Sequence, residues 1–320
     1  MYQRCLIAVT LVIFLVSCTA PTTEETQDPN VTPEGVRITP DVVYGHKFGM
    51  ALTFDMFQPK NQNGAAVIFL NSGGWVSFLP DFYKQTPEGL RLVTREELQK
   101  KTLNMEQFHI KPLLEKEFTV FSVRHGSAPK FEMHEIVADL RRAVRFIRFH
   151  AEEYGVDPER LGVWGGSAGG HLSLLLGTTG DVGNSDATEE FEKGSGRLAA
   201  VVACFPPTDL QRFVEFHKKN SPDILEQHPV LDLETEQLRE FSPINFISSD
   251  DAPALIIHGN QDPGVPILEG ESMHQELLKA GVESKFVTIQ GAGHGFFDED
   301  ADRALAETVS WFEEHLVDGF

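Results

Sequence analysis

The residues of this chain best placed to do chemistry run from Arg160 to Gly177, R-L-G-V-W-G-G-S-A-G-G-H-L-S-L-L-L-G. A short apolar run, Leu161, Val163 and Trp164, reads as a buried strand. It empties into Gly165-Gly166-Ser167-Ala168-Gly169, after which an apolar stretch of helical character begins. Strand, tight turn and helix hold a serine hydroxyl out at the carboxyl end of a sheet. So sharp a turn strains the backbone at the serine and brings strand and helix too close for side chains, which is why glycines flank it. Such a hydroxyl is a candidate nucleophile, but a weak one at its own pKa. It needs a neutral imidazole to take its proton, an acid to orient that imidazole, and amide donors aimed at the oxyanion that forms. A glycine-rich turn carrying an incidental serine is the other reading of the same pentapeptide. What separates the two is whether the rest of the chain supplies a base, an acid and an oxyanion loop in a workable order.

The elements that must position these groups are legible as apolar runs. Val42-Val43-Tyr44 and Ala51 to Phe57 predict two strands around a Gly45–Gly49 turn, an antiparallel opening pair. Ala65 to Leu70 is a continuous apolar run bounded by turn residues, the pattern of a strand buried on both faces. Phe118–Val123, Leu198–Phe205, Ala254–Gly259 and Phe286–Ile289 are further apolar strands. The clearest helix is Glu135 to Tyr154, with Ile136, Leu140, Val144 and Ile147 at helical spacing, arginines opposite and Gly155 as stop. Others run from Leu268 to Ala280, closed by Gly281, and from Ala301 to Leu316. Phe78 to Gln107 is polar and reads as an insertion near the strand ends, poor in core residues, with a helix start at Thr94-Arg95-Glu96-Glu97. Asp209 to Ser249 is amphipathic and irregular. Short apolar strands alternating with helices predict an α/β fold, a mostly parallel central sheet with helices on both faces.

In such sheets, sites form at the carboxyl ends of strands. Four loops leave those ends: after Leu70, at the Ser167 turn, after Ile257 and after Ile289. They carry Gly73-Gly74, Ser167, Asp262 and His294. Ser, Asp and His in that chain order, within Gly-Gly-Ser-Ala-Gly-Gly-His-Leu, His-Gly-x-x-Asp-x-x-Val-Pro and Gly-x-Gly-His-Gly-Phe, resemble the α/β-hydrolase superfamily from about Asp41 onward. The nearest branch is that of bacterial serine esterases related to hormone-sensitive lipase and the feruloyl/acetyl esterases. The resemblance implies an α/β-hydrolase fold and a serine hydrolase that cleaves carboxylic esters through an acyl-enzyme. Ser167 would be its nucleophile, His294 its base and Asp262 its acid, and the backbone N–H groups of Gly73, Gly74 and Ala168 its oxyanion hole. It also implies a small-molecule ester substrate, no cofactor and no metal.

Two alternatives stand beside this reading. A peptidase of the prolyl-oligopeptidase type usually needs a large gating domain, for which this length leaves no room. A non-catalytic descendant of the fold would normally show a damaged triad or oxyanion loop. The sequence does depart from the family pattern: Asn71-Ser72 stand where His-Gly is frequent, and Asn71 can still brace the loop by hydrogen bonding. Trp75 either walls the pocket or packs in the core. His171 and His258 read as structural, whereas His125 sits on a strand-end loop from which substrate is within reach.

A formal charge of −21 argues against nucleic acid and anionic membrane surfaces as electrostatic partners. Three cysteines without a C-x-x-C pair, and histidines scattered singly, form no metal-type cluster. Arg4 precedes an apolar run, Leu6 to Val16, too short to span a bilayer as a mature helix, and this fits a secretory signal. Its end, Leu15-Val16-Ser17-Cys18, resembles a bacterial lipoprotein signal. That implies an exported protein acylated on Cys18 and held to a membrane through its lipid anchor only. Residues 1–17 are thus expected to be removed, 18–40, rich in Pro, Thr and Glu, to form a flexible tether, and 41–320 to be the catalytic domain. Cys204 would then be the one free thiol, with no intrachain disulfide expected.

Overall fold

Side chains along the apolar runs divide between two layers by the period-two rule of strands. In Ala66–Leu70, Ala66, Ile68 and Leu70 enter one hydrophobic cluster while Val67 and Phe69 enter the other. A sheet so covered needs helices on both sides, and the computed structural model, which describes residues 28–78, 82–87, 89–99 and 108–319, provides them. Cys18 and the apolar segment before it lie outside the described residues.

The sheet contains β1 (Arg37–Lys47), β2 (Met50–Gln58), β3 (Ala66–Leu70), β4 (Thr119–Val123), β5 (Leu161–Gly166), β6 (Ala200–Cys204), β7 (Ala254–Gly259) and β8 (Ser284–Ile289). Their spatial order is β1-β2-β4-β3-β5-β6-β7-β8. β1 and β2 form an antiparallel hairpin, β2 lies antiparallel on β4, and every later pairing is parallel. The hairpin turns at Phe48-Gly49, both at positive φ (48° and 79°), the mirror-image turn whose twist suits paired strands. This is the α/β-hydrolase arrangement. One layer is built from α1 (Met133–Phe149), α2 (Ala168–Thr178), α3 (Leu210–Asn220) and α4 (Leu268–Ala280). The other contains α5 (Asp298–Glu313) and the short helix Lys111–Glu115.

Two expectations need correction. Composition predicts a tether as far as residue 40, yet Val31 already bridges to Arg37, β1 starts at Arg37, and Ile38 is fully buried. Isolated apolar residues among prolines and polar groups hid this, because Val36 and Ile38 bury singly rather than as a run. The insertion is also not poor in core residues. An antiparallel hairpin, Tyr83–Thr86 with Gly89–Leu92, and the helix Arg95–Gln99 bury Phe82, Leu90, Leu92, Val93 and Leu98. Phe82 rests on Phe57 and Phe69, with ring centroids 6.0 and 5.6 Å apart. The helix start falls where its signature predicts: Glu97 N donates to Thr94 Oγ1, and Thr94 N donates back to Glu97 Oε2.

Candidate active site

The turn after β5 has the strain its sequence demands. Ser167 sits at φ 53°, ψ −121°, a region that costs a non-glycine residue about 1–3 kcal/mol. Gly165 shows why side chains are excluded beneath it: a Cβ there would fall 2.6 Å from the backbone carbonyl carbon of Gly169 in α2. The serine amide is tied down by donating to Cys204 O of β6, 2.9 Å away.

Three strand-end loops converge on the hydroxyl. His294, five residues beyond β8, brings Nε2 to 2.9 Å from Ser167 Oγ. Its Nδ1 lies 2.8 Å from Asp262 Oδ2, in the loop after β7. A carboxylate only accepts, so Nδ1 carries the ring proton and Nε2 offers its lone pair to the serine. Asp262 Oδ1 accepts from the amides of Gly264 and Val265, both at 2.8 Å. The Asp262 side chain is wholly shielded from solvent, while that of His294 is 34% exposed. Burial alone would raise the aspartate pKa. Hydrogen bonds from His258 and His294, the positive field of His294 and the Val265 amide outweigh it and hold the carboxyl well below the usual carboxylate range.

The acid loop is clamped by two further imidazoles. His258 Nε2 donates to Val265 O at 2.9 Å and lies 3.5 Å from Asp262 Oδ2. His217 of α3 donates from Nε2 to Gly264 O at 3.0 Å. On the opposite side of Ser167, β3 leads into Asn71–Trp75. Asn71 is fully buried and donates from Nδ2 to Ser122 Oγ and Val123 O, at 2.8 and 3.0 Å, bracing the loop from below. Trp75 Nε1 donates to His171 Nδ1 at 3.1 Å, and His171 Nε2 donates to Phe241 O at 2.6 Å. This indole–imidazole–carbonyl chain links the loop to α2 and to the segment after α3. It needs a neutral His171, and burial pushes that pKa down to about 4. Gly73 and Gly74 line the same cavity as Ser167, and Ala168, first residue of α2, has an amide with no helical acceptor four residues back.

The cavity over Ser167 has a volume of about 480 Å³. Its walls include Val265 of the acid-loop motif and several residues the sequence did not single out: Phe108, Phe205, Phe213 and His228. Phe205, at φ 39°, presents its ring edge to His294 with centroids 4.8 Å apart. A signal for it existed, since Leu198–Phe205 is a strand ending beside the Ser167 turn and stopped by Pro206-Pro207. Trp75 both walls the cavity and is buried. His125 faces a separate recess beside Arg124 and Ser127, with Nδ1 2.7 Å from Gly126 O. Asp250 and Asp251 lie before β7, at the far end from Ser167, and Asp298 opens α5.

The sequence profile of the BD-FAE family matches residues 95–277, more than half of the chain. This protein belongs to the BD-FAE family. The matched BD-FAE segment holds Ser167, Ala168 and Asp262, while Gly73, Gly74 and His294 lie outside it. Among curated relatives, the probable carboxylic ester hydrolase LipM of Mycobacterium tuberculosis is 27% identical over 200 residues, 62% of this chain and 46% of LipM. The esterase LipC of the same organism is 31% identical over 181 residues, 55% of this chain and 44% of LipC. The chain therefore spans less than half the length of these relatives. Two solved structures share the fold. A truncated carbohydrate esterase from gut microbiota superposes with a TM-score of 0.66 at 24% identity, covering 87% of this chain and 95% of that one. Esterase 2 of Thermogutta terrifontis, phosphorylated by paraoxon, gives 0.63 at 22% identity, covering 90% and 95%.

Proposed function

We propose that this BD-FAE protein is a serine hydrolase of carboxylic esters that works through an acyl-enzyme. One observation carries the reading: the unbroken hydrogen-bonded line from Ser167 Oγ through His294 to a buried, ionised Asp262, at the floor of a largely apolar cavity. Ser167 Oγ attacks the ester carbonyl while its proton passes to His294 Nε2. Charge moves to the former carbonyl oxygen, which the amides of Ala168 and of Gly73 or Gly74 receive. The carbon–oxygen bond to the alcohol then breaks, the alcohol leaving with the proton from His294. Water repeats the sequence on the acyl-serine, freeing the acid and restoring the hydroxyl. Asp262 keeps the imidazole in the reactive tautomer and stabilises it when charged. The esterases among the relatives support this class of reaction.

The test is direct. Paraoxon should add one diethylphosphoryl group at Ser167 and abolish turnover of a nitrophenyl ester. Ser167→Ala should take no label and lower kcat by about 10⁶, the scale on which a triad nucleophile matters. Labelling of another serine, or turnover persisting in Ser167→Ala, would overturn the assignment. A peptidase would also turn over the matching aminoacyl amide, which an enzyme confined to esters leaves intact.

A further inference from the structure

The His228 side chain lines the cavity and has no task in the ester chemistry. His228 closes the short helix Pro222–Gln227, and its ring stands edge-on to Trp75 with centroids 6.1 Å apart. Its Nδ1 lies 2.6 Å from Ile224 O. A carbonyl only accepts, so Nδ1 bears the proton, and the neutral ring keeps its lone pair on Nε2. Among the described residues Nε2 has no hydrogen-bond partner. It also reaches the oxyanion loop: a Cβ on Gly74 would fall 2.5 Å from it. Apart from Ser72, Gln227 and the groups at Ser167 and His294, the surrounding side chains are aromatic or aliphatic.

We infer that His228 is a specificity-determining residue whose Nε2 accepts a hydrogen bond from a hydroxyl carried by the substrate beside the reacting ester. The inference rests on the ester-hydrolase reading above. A substrate filling this cavity strips water from Nε2. If it brings no donor, a polar atom is left unpaired in apolar surroundings; if it brings a hydroxyl, the loss is made good. The fitting substrate is therefore a hydroxy-ester.

Three small esters separate the possibilities: ethyl acetate without a hydroxyl, glycerol monoacetate with hydroxyls on the alcohol part, and ethyl lactate with one on the acyl part. We expect the parent protein to favour one of the hydroxylated esters, and which one tells where the hydroxyl lies. His228→Phe keeps a ring against Trp75 but removes the acceptor. It should lower kcat/KM for the favoured ester about tenfold more than for ethyl acetate. His228→Gln, which offers a carbonyl oxygen instead, should keep most of the preference. The inference is overturned if both variants lower all three esters by one factor, as a purely structural role would, or if the preference survives His228→Phe. A parent that hydrolyses no ester and takes no organophosphate fails at Ser167 itself, and both readings then fall together.

Discussion

Asp262 must stay ionised while sealed from water, and its surroundings are built for that conflict. Its burial works against the charge, and the two imidazoles and two amides around it work for the charge and win. Asp262→Asn keeps shape but turns an acceptor into a donor facing His294 Nδ1, which favours the wrong tautomer. We expect kcat on a nitrophenyl ester to fall by about 10⁴ with the fold intact. Asp298→Asn, which only alters the charge at the start of α5, should stay within about tenfold of the parent. The reverse ranking would place the acid elsewhere. The groups around Ser167 were readable in the sequence because each follows a strand end in a glycine-marked loop. His228 was not, because it lies in a stretch with no apolar period, and only the folded chain brings it against Gly74.

At the scale of elements, α3 and α4 matter as much as the sheet, and here the sequence was less informative. Asp209 to Ser249 reads as irregular, yet α3 within it supplies Phe213 to the cavity wall and His217 to the acid loop. What holds α3 is Glu269, in the first turn of α4. Sequence gives it the ordinary look of an acid at a helix start, but it is 1% exposed. It accepts from the amides of Thr208 and Asp209, both at 2.8 Å, and from Arg212 Nε at 2.7 Å. Glu269→Ala would strand a half-buried guanidinium and two amides, and should destabilise the protein by about 3 kcal/mol in urea unfolding. Paraoxon should also react more slowly with Ser167 as α3 loosens. A variant with the parent's unfolding midpoint would show that this anchor is dispensable. The insertion teaches the same lesson: Phe82, Leu90, Leu92 and Leu98 are spread over a hairpin and a helix, so no run announces them.

For the whole molecule, acid should be a hazard in a defined window. His125 and His171 are buried, and burial above all pushes each pKa down to about 4. In the unfolded chain both return to about 6.5. Between these values the unfolded state binds more protons, so the stabilisation is complete above pH 6.5 and is lost as pH falls towards 4. Each histidine accounts for on the order of 3 kcal/mol over that range, at 1.36 kcal/mol per pKa unit. Relief of self-repulsion among the acids that give the −21 charge comes mainly near and below pH 4, too late to compensate. Urea midpoints measured from pH 7.5 to 4 should therefore fall steadily below 6.5. A flat profile would mean that these imidazoles accept protons without loss of packing.

The sheet that carries the site also sets a schedule. Gly73-Gly74 and Ser167 follow β3 and β5, Asp262 follows β7, and His294 arrives only after β8, the last strand in chain order. β8 lies at the edge of the sheet, where its strand partner is β7, in parallel pairing. Parallel pairing joins distant stretches of chain and is slow to form. Until β8 docks, Ser167 therefore stands with no imidazole beside it. Assembly of the proposed site waits on the last strand, and its docking is what brings base to nucleophile.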